Sequence, residues 1–134
     1  MATVSAPLHF DQMEHVEGLS IQRWWDALRE PNTDIVNILL RNGFDIETKN
    51  KITGDTALIQ CCKNGRINYV NVLLQYKCNI NYQNKHGNTA LMKAIRHGRE
   101  NIVCRLLQER GSIDVDIKNH VGDAAISIAL KHVK

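Results

Sequence analysis

The amino-acid sequence predicts an all-α solenoid in which short helical hairpins of similar shape stack side by side. The strongest observation is an internal repeat: residues 87–94 (GNTALMKA) resemble residues 54–61 (GDTALIQC) at a distance of 33 residues. A leucine pair keeps the same step, since the pair at 73–74 recurs at 106–107. Self-similarity at a period in the low thirties is typical of stacked repeats, where each unit buries its apolar face against its neighbours.

The repeat divides the 134 residues into three units, a fragment and an extension. The first unit spans about residues 19–49, the second 51–83 and the third 84–118. The fragment comprises residues 119–134, and residues 1–18 precede the repeats as an N-terminal extension. Helices as short as those expected here are marginal alone, so their stability must come from packing between neighbouring units.

The extension leaves two alternatives open. Its apolar residues Leu8, Phe10, Met13 and Val16 could form one short helix on the first unit, or the segment could be mobile.

A helical apolar stripe begins the first unit, with charged residues on its other side. Its members are Ile21, Trp24, Trp25 and Leu28. We expect one tryptophan to be buried against the second unit and the other to be partly exposed. A partner-binding aromatic is the alternative, but a stripe of helical period favours a core role.

The second unit reads as two antiparallel helices. Thr56 is placed to cap a first helix whose inward positions include Leu58, Cys61 and Cys62. This helix is expected to end at residues 64–65, where asparagine and glycine tolerate positive φ. Apolar residues then recur at helical spacing in a second helix, at Ile67, Val70, Leu73 and Leu74.

The connections between units are polar and rich in turn residues. Residues 78–87 are too polar for a helix and predict an extended, hairpin-like link to the next unit. The third unit has two surplus residues relative to the second, which we place at 109–113, in a loop after a helix.

The last segment, residues 124–131, predicts a first helix without a second one. This helix either caps the stack or belongs to a chain that is a piece of a longer protein. The second alternative is favoured because Ile126, Ile128, Ala129 and Leu130 present apolar groups on more than one side.

The repeated pattern resembles the ankyrin repeat over residues 24–131. It consists of Gly-x-Thr-x-Leu, a glycine about nine residues after the threonine, and Ile/Tyr-Val-x-x-Leu-Leu. The family's Thr-Pro-Leu-His motif appears as TALI at 56–59, TALM at 89–92 and AAIS at 124–127. The missing proline removes a preset φ but leaves a helix that can form. The missing histidine removes a hydrogen bond that in the family links neighbouring repeats, so we expect weaker coupling between units.

Composition excludes several classes of protein. A hydrophobic content of 43%, a charged content of 23% and a net charge of +3 are ordinary for a globular chain and do not indicate a nucleic-acid binder. Apolar runs fall short of a membrane span, and the first residues lack the pattern of a secretory signal. We therefore expect no membrane association, a monomer, and a cytoplasmic or nuclear setting in which the four cysteines stay reduced.

Neither a metal site nor catalysis is expected. The placement of the six histidines follows the repeat, and no His or Cys pair has the spacing of a structural zinc site. Cys61, Cys78 and Cys104 fall where the ankyrin family has small apolar residues, which favours inert packing. The glycines at 54, 87 and 122 are single turn residues, not a phosphate-binding loop. The sequence thus predicts a non-catalytic protein without a cofactor.

The resemblance implies that partner proteins meet the loop tips and the exposed side of each first helix, which together form a concave groove. The expected tip residues are Lys51, Ile52, Thr53 and Asp55; Gln83, Lys85, His86 and Asn88; and Lys118, His120, Val121 and Asp123. Along the groove, the expected residues are Lys63 and Asn64, Arg96 and His97, and Lys131 with its neighbour His132.

The basic residues along the groove permit two functional hypotheses and one structural explanation. An acidic segment of a partner protein could dock along them, with electrostatic steering. The alternative is a nucleic acid or another anionic ligand on the same stripe, although Tyr69, Tyr76 and Tyr82 do not form a stacking platform. Complementarity to the helix dipole explains the stripe equally well without any ligand.

Overall fold

The computed structural model describes residues 21–132, and this part of the chain contains seven helices and no β-strand. The prediction of an all-α fold is therefore confirmed for these residues, while the extension at 1–18 lies outside them. The helices are α1 (helical residues 21–27), α2 (Asp34–Arg41), α3 (Ala57–Asn64), α4 (Ile67–Gln75), α5 (Ala90–Arg96), α6 (Glu100–Leu107) and α7 (Ala125–Lys131). None of the described helices is long and apolar enough to cross a membrane.

The helices form two layers. In the inner layer α3 packs on α5 and α5 packs on α7, whereas in the outer layer α4 packs on α6. Within each unit the two helices also contact each other, α3 with α4 and α5 with α6. The outer helices bury the apolar stripe seen in the sequence, with Val70, Leu73 and Leu74 on α4 and Ile102 and Leu106 on α6. This arrangement is the predicted solenoid with one continuous interior.

Threonine and glycine set the ends of the inner helices as predicted. The Thr56 hydroxyl accepts the backbone N–H of Ile59 at 3.3 Å, and the Thr89 hydroxyl accepts that of Met92 at 3.3 Å. Gly65 ends α3 with φ of 78°, a left-handed conformation that costs glycine little. At α7 the capping position holds Ala124, which has no side-chain oxygen to offer.

The two tryptophans differ in burial, as the stripe predicted. Trp24 is fully buried and stacks on Phe44 with ring centroids 4.8 Å apart, while Trp25 is half-buried. The stacking partner belongs to the first unit itself, whereas the sequence predicted burial against the second unit. A core role for this pair is consistent with both environments.

Tyr69 of α4 and Arg66, which precedes α4, link the second unit to the first. The Tyr69 hydroxyl lies 2.6 Å from the carbonyl oxygen of Asn32 and 2.8 Å from those of Ala27 and Glu30. One hydroxyl hydrogen serves one carbonyl at a time, and the Arg66 guanidinium also donates to Glu30 while lying 4.7 Å from the Tyr69 ring. Burial raises the pKa of Tyr69 above its ordinary value, which keeps the hydroxyl a donor.

The loop after α6 takes up the two surplus residues of the third unit. Helix α6 ends at Leu107, and residues 108–112 form turns rather than a longer helix. The backbone N–H groups of Ser112 and Ile113 both donate to the carbonyl of Glu109, at 3.0 and 2.9 Å. The surplus residues therefore lie in a loop after a helix, as the sequence predicted, and α5 still packs on α7.

Candidate partner-binding surface

Each loop tip is organised by an asparagine at its first position. The tips are residues 50–55, 84–88 and 119–123, and a backbone hydrogen bond of 2.8 to 3.0 Å closes each one between its first and last residue. In the second tip the side-chain oxygen of Asn84 accepts the N–H groups of His86 and Asn88, at 2.9 and 3.0 Å. Asn50 and Asn119 act in the same way on their own tips.

The three tips are joined in a row. The backbone N–H of Lys85 donates to the carbonyl of Thr53 at 3.1 Å, and that of His120 donates to the carbonyl of His86 at 3.1 Å. Successive tips are therefore held at a fixed spacing.

Buried side chains reinforce this row. The Asn84 amide donates to the Asp55 carboxylate at 2.8 Å, and the Asn119 amide donates to the Asn88 side-chain oxygen at 2.9 Å. We call this series the asparagine ladder, comprising Asp55, Asn84, Asn88 and Asn119. All four residues are buried. The ladder links neighbouring units through their tips, although the missing histidines had led us to expect weaker coupling.

The ladder corrects two of the predicted contact residues. Asp55 and Asn88 were expected at the surface of the tips, but each is only 5% exposed. Both side chains point into the row because they accept the amide of the next unit's asparagine. They hold the tips together and do not belong to the accessible surface.

The other predicted tip residues lie at the surface, although Asp123 is half-buried. Ile52 and Val121 stand out among them because they are apolar and 83% and 79% exposed. The exposed tip residues are Lys51, Ile52, Thr53, Gln83, Lys85, His86, Lys118, His120 and Val121. Two long side chains brace neighbouring tips, since Lys85 Nζ donates to the Lys51 carbonyl at 2.6 Å and Gln83 donates to the Lys118 carbonyl at 3.0 Å.

The inner helices place the predicted groove residues at their carboxyl ends. Lys63 and Asn64 end α3 and are exposed, and Arg96 and His97 follow at the end of α5, half-buried and exposed respectively. Lys131 on α7 differs from them because its ammonium binds the Asp123 carboxylate at 2.7 Å. The basic stripe of the sequence is thus partly neutralised at its carboxyl-terminal end.

Electrostatics shows which cations lie close together. The pKa of Lys93 is lowered by burial and by the charges of Lys63 and Arg96, against the opposing attraction of Asp55. The pKa of His97 is lowered by burial and by the charges of Lys93, Lys63, Arg99 and Arg96. We call Lys63, Lys93, Arg96 and His97 the basic cluster, which spans the second and third units.

Sequence reasoning missed Lys93 and Arg99. Lys93 lies three residues before Arg96, so both face the same side of α5, and this spacing could have identified it. Arg99 was harder to find because it precedes α6 and reaches back to the second unit, where its Nε donates to the Lys63 carbonyl at 3.0 Å.

The cysteines have different environments. Cys61 and Cys62 are buried and Cys78 is half-buried, and burial raises the pKa of both Cys61 and Cys78 to about 12. Such thiols stay protonated and unreactive. The prediction for Cys104 was wrong, because this residue is exposed on α6, where Ile102 and Leu106 face the interior instead.

Residues 21–132 bring together no group of three or more His, Cys, Asp or Glu side chains suited to an ion. His86 and His120 do lie in neighbouring tips, but the contact between them is the backbone hydrogen bond of the row. Their placement follows from the repeat, as the sequence indicated.

The fold defines a helical-repeat protein, with stacked helix pairs and a row of connected tips. The family model of ankyrin repeats matches residues 24–119 with three copies, and the chain belongs to the ankyrin-repeat family. Ankyrin repeats generally mediate protein–protein interaction and are generally non-catalytic. The resemblance inferred from the repeated motif is therefore confirmed.

Two plant proteins are among the relatives. The chain is 32% identical over 77 residues to the E3 ubiquitin-protein ligase XBAT33 of Arabidopsis thaliana. It is 31% identical over 77 residues to the probable E3 ubiquitin-protein ligase XBOS33 of Oryza sativa subsp. japonica. Each match covers 58% of this chain but only 12% of the relative, so the chain corresponds to a small part of these ligases.

Proposed function

We propose that this chain is a non-catalytic binding module that recruits a partner protein through the basic cluster and the exposed tips. The partner segment that fits is acidic and extended along the groove. The observation that carries the proposal is the basic cluster itself, where cationic side chains of two units converge. Within residues 21–132, no salt bridge joins a carboxylate to Lys63, Lys93 or Arg96.

Repulsion within the cluster supports this function over a purely structural one. Lysine and arginine near a helix carboxyl end each contribute about 0.3–1 kcal/mol through the helix dipole. Besides burial, the charges of Lys63 and Arg96 lower the pKa of Lys93 and of His97. The proximity of these cations therefore disfavours the protonated forms of Lys93 and His97. An acidic ligand would relieve this repulsion, which favours its binding.

The tips add apolar contacts to this electrostatic site. Ile52 and Val121 lie at opposite ends of the row, which is held rigid by the asparagine ladder. A partner that places acidic side chains on the cluster and apolar ones on these tips satisfies both ends of the surface. Charge then determines the rate of association and its salt dependence, while the apolar contacts slow dissociation.

The ligase activity of the relatives is not part of this proposal. Their match to the chain covers 12% of their length, and it supports membership of the ankyrin-repeat family and nothing more. We also propose a cytoplasmic or nuclear setting, in which the thiols of Cys61, Cys62, Cys78 and Cys104 remain free as they are in the structure.

Reversing two charges of the basic cluster tests the proposal. The double variant Lys63→Glu, Arg96→Glu is expected to weaken binding by about tenfold or more, because two attractions become repulsions. The partner is first recovered by affinity capture on the immobilised chain, and its dissociation constant is then measured by isothermal titration calorimetry at low and high salt.

A second double variant controls for net charge. Arg41→Glu with Arg110→Glu changes the net charge by the same amount at exposed positions outside the cluster, and it should bind as the native chain does. Equal affinity of all three proteins would contradict the proposal. Retention of single-stranded nucleic acid on a filter, lost in the cluster variant alone, would favour the anionic-ligand alternative instead.

The titration of His97 provides an independent check of the cluster. We expect its midpoint in the free chain to lie below the ordinary value of 6.5, because burial and four nearby cations disfavour the imidazolium. The contribution of neutral His97 to stability is accordingly present above 6.5 and is lost as the pH falls toward the lowered midpoint.

This midpoint is measured by NMR from the imidazole ring signals. Lys63→Glu removes a positive charge and adds a negative one, so it should raise the midpoint, and a bound acidic segment should raise it as well. A midpoint at or above 6.5 in the free native chain would show that the cations do not converge on His97.

A further inference from the structure

A cleft of about 440 Å³ lies between the first and second tips, and three lysines line it. Lys49 precedes the first tip, Lys51 belongs to it, and Lys85 belongs to the second tip. All three lysines are exposed, whereas Gly54 and Asn84 in the same lining are buried. The lysines therefore surround a recess between two tips, which we call the tip cleft.

Two of the three ammonium groups are held in place. Lys85 Nζ donates to the carbonyl of Lys51 at 2.6 Å. The Lys85 backbone is also packed on Gly54, where a Cβ atom would lie 3.0 Å from the Lys85 nitrogen. Lys49 Nζ lies 5.4 Å from the centroid of the Tyr82 ring, within the range of a cation–π interaction. Cations that are already in position lose less side-chain entropy when an anion binds.

Carboxylates do not neutralise these lysines in the described part of the chain. The described residues that line the tip cleft include no Asp or Glu, and within residues 21–132 no salt bridge involves any of the three lysines. Two carboxylates close to them in sequence have other partners. Glu47 accepts the backbone N–H of Asn79 at 2.6 Å, and Asp55 accepts the Asn84 amide at 2.8 Å. The tip cleft thus offers its positive charge to a ligand.

The charge of the tip cleft does not follow from the repeat. Counted from the first asparagine of each tip, the equivalent residues at the next junction are Gln83, Lys85 and His120. Gln83 also spans that junction, because its amide donates to the Lys118 carbonyl at 3.0 Å. Three lysines around one cleft are therefore particular to the first of the two junctions.

We propose that the tip cleft binds a phosphate monoester carried by a serine or threonine side chain of the partner protein. The proposal rests on the proposed function, since it takes the ligand to be a segment of that partner. A phosphorylated side chain carries a charge of about −1.5 to −2 and three acceptor oxygens, which match three ammonium groups better than one carboxylate does. Lysine binds phosphate as a point charge, whereas the planar fork of arginine suits a carboxylate. Arginine is absent from the described lining.

The position of Tyr82 disfavours a nucleotide or a single-stranded nucleic acid as the occupant. Its side chain is half-buried against the core, and Lys49 lies over the ring. A nucleobase stacks on an open aromatic face, and here it would first have to displace the lysine. A phosphorylated side chain needs no such face. Ile52, which follows Lys51 and is 83% exposed, offers an apolar contact to the neighbouring residues of a peptide.

Capped phosphoserine, N-acetyl-phosphoserine methylamide, is the probe in an NMR titration of the isotopically labelled 134-residue chain. Above the second pKa of the phosphate, we expect saturable shifts of the amide signals of Lys51, Gly54 and Lys85, and none with capped serine. The double variant Lys49→Gln, Lys51→Gln should bind the probe about tenfold more weakly, because two charge-assisted contacts are lost. It keeps the contact between the tips, since Lys85 donates to the backbone carbonyl at position 51.

Arg41→Gln with Arg110→Gln is the matched control, because it removes the same charge at exposed positions outside the tip cleft. It should bind the probe as the native chain does. The absence of saturable shifts, or equal affinity of all three proteins, would overturn the proposal. If partner binding then still depended on Lys63 and Arg96, the proposed function would stand without the phosphate site.

Two further probes distinguish the possible sources of the phosphate group. Inorganic phosphate should bind more weakly than capped phosphoserine, whose peptide groups add contacts to the tip, and equal affinity would assign the tip cleft to free phosphate. Retention of the native chain on phosphatidylcholine vesicles that contain a phosphoinositide, lost in Lys49→Gln with Lys51→Gln, would assign it to a lipid surface. Either of these results would overturn the docking of a phosphorylated partner.

Discussion

Replacing Asn84 with alanine is expected to lower the free energy of unfolding by about 2–5 kcal/mol. The substitution removes two hydrogen bonds that shape the second tip, from the N–H groups of His86 and Asn88. It also removes the hydrogen bond of 2.8 Å that the Asn84 side-chain amide donates to the buried Asp55 carboxylate. A buried carboxylate that loses its donor carries a desolvation penalty beyond that of the lost bond. Urea unfolding followed by circular dichroism measures the change.

Asn50→Ala is the matched control for this prediction. Asn50 also accepts two N–H groups of its own tip, those of Ile52 and Thr53 at 2.8 and 3.0 Å. Its side chain makes no hydrogen bond to another unit among the described residues. We expect it to cost less than half as much as Asn84→Ala. Equal costs would mean that shaping the tip matters and the link between units does not.

Replacing Gly87 with alanine is expected to destabilise the chain by about 2–4 kcal/mol, from left-handed strain and overpacking together. Gly87 has φ of 79°, and a Cβ atom there would lie 2.9 Å from the backbone nitrogen of His120 and 3.0 Å from the Cα of Asn119. Backbone atoms of the next tip cannot move aside without breaking the row. Thermal unfolding of the purified variant measures the loss.

Gly122→Ala measures the conformational part of this effect alone. Gly122 occupies the same position in the third tip with φ of 88°, and a Cβ atom there would meet nothing within 4 Å. Only the conformational strain remains, so we expect a cost of about 1–2 kcal/mol. If both substitutions cost the same, close packing of one tip on the next would not contribute to stability.

The repeat made much of this fold accessible from sequence alone. Thr56 and Gly65 mark the ends of α3 through local backbone chemistry, which a sequence reveals without knowledge of tertiary contacts. The apolar stripe of α4 and the position of α7 followed from helical spacing. The two surplus residues could be assigned to the loop after α6 because the flanking motifs fixed the register on both sides.

The asparagine ladder was not predictable in the same way. Asparagine at the start of each tip indicated a turn, but the partner of Asn84 lies 29 residues earlier at Asp55. A polar residue in a loop is ordinarily exposed, and this general tendency led to the wrong assignment of Asp55 and Asn88 to the surface. Only the stacking of one tip on another buries them.

The groove shows the same division between local and distant effects. The basic residues near the ends of α3 and α5 were evident in the sequence, since helix position determines them. Whether a given cation remains available depends on contacts across the fold. Lys131 binds Asp123 eight residues away, and Lys93 joins the basic cluster because α3 and α5 pack together.

Successive tips and helix pairs form one continuous stack, which holds the proposed binding surface in place. Amide hydrogen exchange tests this claim at Lys85 and His120, whose backbone N–H groups donate to the preceding tip at 3.1 Å. We predict that both amides exchange slowly, at rates set by unfolding of the repeats, while the Lys51 amide in the first tip exchanges quickly. Exchange of Lys85 and His120 as fast as that of Lys51 would contradict the account, because the tips would then move independently.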